Sequence, residues 1–545
     1  MNAAELFIKC LENEGVTDIF GIPGEENLDV MDALLDSKIR FITTRHEQGA
    51  AFMADVYGRL TGKAGVCLAT LGPGATNLVT GVADANMDRA PVVAIAGQAS
   101  THRMHKESHQ VLDLVNLFAP ISKYSTQIRA AEIIPEIVRK AFKVAEAEKP
   151  GCSFIDFPEN IAEMEITGKS PLKVQSPMPP APPAEKLRYA AEIISNASFP
   201  IIMIGNGVIR AKASEQVVAM AEKLRIPAAT TFMAKGVIPS SHELSLGTVG
   251  LQAHDYVSCG FDRADVVICI GYDMVEYHPS AWNPEKTHKI IHIDSMAAEV
   301  DENYIVETGI IGNISIACEQ IASLAKANTN ESSVKSLHDT IMNEFKLHSE
   351  DNAFPVKPQK IIWDLKQALN DDDIVISDVG AHKMWMARMY QSEKPNTCII
   401  SNGFASMGIA VPGAVAAKVA SPNTAAIAVT GDAGFMMNSQ EISTALMYDI
   451  PIVILVWNDG NYGLIKWKQV AKFGRESNIK IQNPDLVKYA ESFGAKGYRI
   501  EKTEDLLPTL KQAIADNTVV IIDCPVDYDE NMKLTEKLGE LICPI

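Results

Sequence analysis

Short apolar runs rich in β-branched residues recur along this chain, and each gives way to a stretch in which apolar residues return every three or four positions. The first pattern reads as a strand buried on both faces, the second as an amphipathic helix. Residues 65–70 and 91–97, then 201–205, 266–271 and 290–294, then 374–378, 425–430, 452–457 and 519–523 are the expected strands. Such alternation specifies parallel sheets covered by helices, with binding crevices beyond the carboxyl ends of the strands.

Two breaks divide the pattern. Residues 170–183 contain Ser-Pro, Met-Pro-Pro and Ala-Pro-Pro, a stiff extended stretch that can neither continue a helix nor pair inside a sheet. Residues 328–357 are polar and charged and end in Phe-Pro-Val-Lys-Pro, which reads as a solvated helix with a connector. The expected architecture is α/β, with three doubly wound parallel-sheet domains at 1–170, 186–340 and 355–545. The length of 545 residues agrees, since single cores stop growing near about 250–300 residues.

Composition narrows the function classes. With 47% hydrophobic and 21% charged residues, the chain reads as a compact globule. A net charge of −19 argues against a nucleic-acid partner, which needs clustered Lys and Arg. No membrane association is expected, because no run reaches the roughly 18 apolar residues of a span and the first nine residues lack the build of a leader. The nine cysteines are odd in number and scattered, several inside apolar runs, and are expected to be buried thiols in a reducing cytoplasm.

The densest chemistry lies in the third block. Its run 425–430 breaks into Gly431-Asp432-Ala433-Gly434 ahead of a helical pattern, where small residues let an anion approach the amides of a helix N-terminus. The run 452–457 ends in Asn458-Asp459-Gly460-Asn461, and the 27 residues from Asp432 to Asp459 suffice for one crossover helix and a returning strand. Both sets of oxygens then reach one sheet edge, where a magnesium ion commonly joins one or two carboxylates to phosphates. Each segment taken singly also suits an ordinary turn, so the pairing and its spacing carry the reading. Asp378-Val379-Gly380-Ala381-His382 follows another strand of the same block.

In the first block, Thr44-Arg45-His46-Glu47-Gln48-Gly49-Ala50-Ala51 closes a short strand and opens a helix, and Gly72-Pro73-Gly74 makes a tight turn at a strand end. A Glu in a first helical turn is ordinarily a partner for the helix dipole. His102, His105 and His109 have a spacing that one helix face could share, as metal ligands would.

Together these segments resemble the thiamine diphosphate enzymes. Gly431-Asp432-Ala433-Gly434 with Asn458-Asp459 is similar to their Gly-Asp-Gly and Asn-Asn motif, with Ala433 in place of the second Gly and Asp459 in place of the second Asn. Gly21-Ile22-Pro23-Gly24, the Glu47 segment, and residues 69–77 and 84–91 are similar, in order, to the pyrimidine-binding domain of acetolactate synthases. Residues 270–277 and 487–494 resemble the catabolic, FAD-independent branch.

The likeness implies a set of roles. Magnesium would be held by Asp432, Asp459 and the backbone carbonyl of Asn461, and the diphosphate by Gly380, Ala381, His382 and the 431–434 segment. Pro23 and Gly24 would line the coenzyme, and Glu47 would engage N1′ of its pyrimidine ring. Gln110 would bond to the substrate-derived oxygen, the Ala405 carbonyl would accept from the coenzyme's 4′-amino group, and Met407 would wedge between its rings. The implied activity converts a 2-oxo acid, pyruvate, to 2-acetolactate by decarboxylation and ligation to a second pyruvate; the alternative is a decarboxylase that releases an aldehyde. Lys468 lies where substrate preference is set, and either receives a carboxylate or is simply solvated. FAD is not expected: the flavin-contacting Arg-Phe-Asp-Asp-Arg of the biosynthetic enzymes is missing at residues 271–276, and Gly205-Asn206-Gly207 serves as a turn. In that family the coenzyme lies between the first domain of one subunit and the third of another, which implies a homodimer or homotetramer.

Overall fold

The computed structural model describes residues 1–175, 178–250, 254–328, 331–541 and 543. Three six-stranded sheets carry the chain, and every paired strand in them is parallel. The first comprises β1 (Asp18–Gly21), β2 (Arg40–Thr43), β3 (Gly65–Ala69), β4 (Val92–Gln98), β5 (Tyr124–Gln127) and β6 (Cys152–Pro158), in the order β2-β1-β3-β4-β6-β5. The second comprises β7 (Pro200–Ile204), β8 (Ala228–Thr230), β9 (Ser245–Thr248), β10 (Val266–Ile270), β11 (Lys289–Asp294) and β12 (Val306–Ile311), in the order β12-β11-β10-β7-β8-β9. The third comprises β13 (Ile374–Ser377), β14 (Cys398–Ile400), β15 (Ala426–Gly431), β16 (Val453–Asn458), β17 (Lys496–Arg499) and β18 (Val520–Pro525), and repeats the first topology as β14-β13-β15-β16-β18-β17.

The central strands β3, β4, β7 and β10 are buried along their whole length, because helices cover both faces and leave no solvent side to mark with polar residues. Chain order reverses once in each sheet, between β1 and β3, between β7 and β10, and between β13 and β15. A crevice opens at the carboxyl ends of each such pair, since the connections leave on opposite faces.

The first and third domains share a core. Phe20, Val56 and Leu78 lie in one buried cluster with Ile376, Val411 and Phe435, and helix Glu47–Thr61 packs along helix Ala410–Ala420. The segment expected to be solvated is instead docked: helix Glu331–Leu347 buries Leu337 in the middle core and Phe345 in the third, since residues four apart return to one face. Residues 176–177 of the proline-rich break and 329–330 of the second break lie outside the described residues.

Two other expectations are corrected. Cys259 and Cys543, 284 residues apart, form a disulfide with Cα atoms 5.5 Å apart, because the end of the chain folds back onto helix Tyr256–Arg263; the other seven cysteines are buried thiols. Residues 101–110 form turns rather than a helix, closed by bonds such as Arg103 N to Ser100 O and Ser108 Oγ to Arg103 O. The three histidines there do not share a helix face. Among the described residues no helix is long and apolar enough to cross a membrane.

The middle crevice is filled by the chain itself. Gly207 N donates to Gly271 O at 2.8 Å, and a Cβ at Gly205 would fall 2.4 Å from that same oxygen. Beside it the buried Glu276 carboxylate accepts from Asn206 N at 3.0 Å, from Asp273 N at 3.3 Å and from the Thr231 hydroxyl. An internal acid thus takes the amides that a ligand's phosphate would otherwise use. Burial pushes Glu276 up to about 7, against the pull of Thr231 and Arg210. The folded state therefore favours the protonated acid, and its stabilising contribution is complete below the unfolded value of about 4.3 and is lost as pH rises through 7. Hydrogen exchange of the β7 peptide in the native chain and in Glu276→Gln will show this: between pH 4.5 and 7.5 the native chain loses about 3 kcal/mol relative to the variant. A pH-independent difference would contradict the assignment.

Candidate active site

The first crevice gathers the residues that the Glu47 segment led us to expect. β1 runs into Pro23 and Gly24, and Gly24 sits so close to Thr70 that a Cβ there would fall 2.3 Å from the Thr70 Cβ. β3 runs into the turn at Gly72, whose φ of +53° admits few other residues and brings it against Gln110; Gln110 itself has a φ of 59°. Glu47 is the first residue of its helix, which His46 caps by accepting from Gln48 N at 3.1 Å. The Glu47 side chain is buried, Asn77 Nδ2 donates to its Oε2 at 2.9 Å, and a Cβ at Gly74 would lie 3.3 Å from its Oε1. Asn77 therefore orients the acid, a role that the sequence did not single out.

The third crevice assembles the acidic and glycine-rich segments. Asp378, fully buried, accepts from Val379 N at 2.7 Å, Gly408 N at 2.8 Å and the Thr430 hydroxyl at 3.2 Å, so it ties the turn at Gly380 and the helix start at Ala381 and His382 to the loop carrying Ala405 and Met407. Burial pushes Asp378 up to about 6. Asp432 follows β15 directly; its Oδ2 accepts from Gly460 N at 2.8 Å and Asn483 Nδ2 at 2.6 Å, and its Oδ1 from Ala433 N at 2.9 Å. Asn483 also donates to Asn458 Oδ1 at 3.0 Å and so spans both acidic turns. Asn461 turns its amide onto the carbonyl of Asp459. Burial and the neighbouring Asp432 carboxylate push Asp459 up to about 7. Lys468 stands exposed on helix Gly463–Phe473.

Three buried polar atoms in this crevice, His382 Nε2, Trp457 Nε1 and Tyr528 Oη, have no hydrogen-bond partner among the described residues. They form a contiguous row, with ring centroids 6.2 Å apart from His382 to Trp457 and 6.3 Å from Trp457 to Tyr528. Burial holds His382 down to about 3, so the imidazole is neutral. Small residues leave room beside it: a Cβ at Gly431 would lie 3.3 Å from His382 Nδ1. Unpartnered polar atoms cost free energy in a dry pocket, and two neighbouring carboxylates repel. An anionic group carrying a divalent cation relieves both penalties, and the residues present fit one. Trp457, Tyr528 and Asn483 gave no local signal in the sequence, since each reads there as strand filler or a turn residue.

The two crevices are braced against each other. The Glu441 carboxylate, in the third domain, accepts from Arg45 N at 3.1 Å, His46 N at 3.0 Å and the Thr444 hydroxyl at 2.7 Å, holding the start of the Glu47 helix.

Family models cover most of this framework. The N-terminal TPP binding domain of thiamine pyrophosphate enzymes matches residues 1–117, their central domain 187–321, and their C-terminal TPP binding domain 378–524. The chain is a member of the thiamine pyrophosphate enzymes, pyrophosphate and diphosphate being two names for one group. It is 38% identical to an acetolactate synthase of Bacillus subtilis, over 99% of this chain and 96% of that one. It is 37% identical to a probable acetolactate synthase large subunit of Methanocaldococcus jannaschii, over 99% and 94%, and 34% identical to a catabolic acetolactate synthase of Raoultella terrigena, over 98% and 97%. Within the thiamine pyrophosphate enzymes, the chain belongs to the acetolactate synthase family.

Glu441→Ala leaves the Arg45 and His46 amides, both in partly buried bonds, short of an acceptor and frees the start of the Glu47 helix. Its expected cost is about 2–4 kcal/mol, read as faster hydrogen exchange across residues 45–50. Unchanged exchange there would show that the brace is not needed.

Proposed function

We propose that this chain is an acetolactate synthase that decarboxylates pyruvate and joins the remaining two-carbon unit to a second pyruvate, giving 2-acetolactate and carbon dioxide. The observation that carries the reading is the near full-length likeness to acetolactate synthases, spanning both the Glu47 crevice and the Asp432 crevice. No observation favours the aldehyde-releasing alternative.

When bound, thiamine diphosphate supplies an electron sink for carbon–carbon cleavage and a carbon nucleophile. The chain supplies the rest. Glu47, oriented by Asn77, holds a proton at the pyrimidine N1′. Asp432, Asp459 and the Asn461 carbonyl hold magnesium, whose charge settles the repulsion between the two acids. Gly380, Ala381, His382 and the 431–434 segment receive the diphosphate, with neutral His382 as a hydrogen-bond donor. Pro23 and Gly24 border the pyrimidine pocket, the Ala405 carbonyl accepts from the 4′-amino group, Met407 separates the coenzyme's rings, and Gln110 bonds to the substrate oxygen. FAD is not a cofactor on this reading, because Glu276 holds the amides that its phosphates would need.

The site is shared between two copies of the chain. From Glu47 to Arg59 the helix runs about 18 Å, and it is the Arg59 end that reaches the strand leading into the Ala405 loop, through a 3.2 Å bond to Ile400 O. Glu47 and the Ala405 carbonyl must instead bond to opposite edges of one small ring, each at about 3 Å. This separation supports a site in which Glu47 of one copy serves the third domain of another, in a homodimer or homotetramer.

Incubation with pyruvate followed by acid treatment will yield acetoin; acetaldehyde would support the aldehyde-releasing alternative. Glu47→Gln will lower turnover by about 10²-fold or more while the fold and magnesium-dependent coenzyme binding persist. Co-expressed Glu47→Gln and Asp432→Asn subunits, each inactive alone, will recover roughly a quarter of native activity, since random pairing makes half the dimers mixed and each mixed dimer holds one complete site. No recovery would place both residues in the same chain's site.

A further inference from the structure

The loop from Ser401 to Gly408 carries Ala405 and Met407, yet it has little apolar anchorage: Phe404 is exposed, and Ala405 takes a φ of 59°, left-handed for a residue with a side chain. Such a conformation persists only where the surroundings over-determine it. Here the surroundings belong to the first domain. Asp88, fully buried, accepts from the backbone N–H groups of Asn402 at 3.0 Å, Gly403, and Phe404 at 3.3 Å. Asp84, also fully buried, accepts from the Ser401 hydroxyl at 2.8 Å and from Ser406 N at 3.3 Å.

Both carboxylates belong to a cluster of three acids around one cation. Arg59 donates to Asp55 at 2.7 Å, Asp84 at 3.2 Å and Asp88 at 2.7 Å, and its remaining arm reaches Ile400 O. Burial shifts Asp55 and Asp84 toward the protonated form despite Arg59, and a buried acid left short of hydrogen-bond partners is costly. The loop's own donors, four amides and a hydroxyl, make up the shortfall. The loop cannot shift without stripping donors from buried acids, so these bonds fix its backbone.

We propose that Asp84 and Asp88, gathered by Arg59, are positioning residues for the reaction: they set the Ala405 carbonyl and Met407 against the coenzyme from the first domain of the same chain. This rests on the reading above that the loop faces the coenzyme. It also gives one rigid helix pair two duties: Glu47–Thr61 and Pro73–Met87 present Glu47 and Asn77 to one coenzyme at their starts, and clamp the loop that serves a second coenzyme at their ends.

The test is Asp88→Asn, which puts an N–H group against the loop's N–H donors. Its kcat is expected to fall about 10²-fold while its affinity for thiamine diphosphate with magnesium changes less than about threefold, and the near-ultraviolet circular dichroism of the bound aminopyrimidine will change. Co-expressed with Glu47→Gln subunits, Asp88→Asn subunits will recover roughly a quarter of native activity, because the mixed dimer then pairs an intact Glu47 with an intact loop. A native kcat, or no recovery where the Glu47→Gln and Asp432→Asn pair does recover, overturns the proposal. Should Asp88→Asn fail to fold, Ser401→Ala decides: it removes one donor to Asp84, and its kcat is expected to fall about three- to tenfold with coenzyme affinity kept. A native kcat in that variant overturns the proposal. Failure of the Glu47→Gln and Asp432→Asn pair itself would instead count against the shared site.

Discussion

Two neighbouring carboxylates in a mostly dry crevice repel each other, and the proposed cation site rests on that repulsion. Asp432 and Asp459 leave neighbouring strands at the carboxyl end of the third sheet, and burial together with the Asp432 carboxylate raises Asp459 to about 7. Asp432 accepts from Gly460 N, Ala433 N and the Asn483 amide. Those donors steady one acid, while the second is served by Asn461. On the proposed reading a divalent ion that also binds phosphate oxygens would complete the arrangement, beside the His382, Trp457 and Tyr528 atoms that have no partner among the described residues.

A second constraint is mechanical. The first and third domains repeat one sheet order and share one apolar core, so the Glu47 helix and the Ala405 loop cannot move independently within a chain. Polar braces reinforce this from both sides: Glu441 reaches from the third domain to the start of the helix, and Asp84 and Asp88 reach from the first domain to the loop. The middle domain stands apart from the chemistry, its crevice closed by Glu276 and the contact of Gly205 and Gly207 with Gly271.

What the sequence made legible was whatever depended on local order. Buried parallel strands announce themselves as continuous apolar runs, and Asp432 and Asp459 declare their pairing through a spacing that admits one crossover. Buried acids that act through tertiary contacts were opaque, because Asp84, Asp88, Glu276 and Glu441 read as polar positions on helices and loops until folding surrounds them with amides. The same holds for the Cys259–Cys543 bond, which depends on where the end of the chain comes to rest. Helix Glu331–Leu347 misled for the opposite reason: its polar and charged residues together outnumber its apolar ones, yet Leu337, Ile341 and Phe345 line one face and dock.

Calorimetric titration of the purified chain with thiamine diphosphate, in the presence and absence of magnesium chloride, tests the central claim most directly. The account predicts saturable binding with magnesium, and binding at least about tenfold weaker without it, because the acid pair and the diphosphate then lack their common cation. Absence of binding with magnesium present would contradict it.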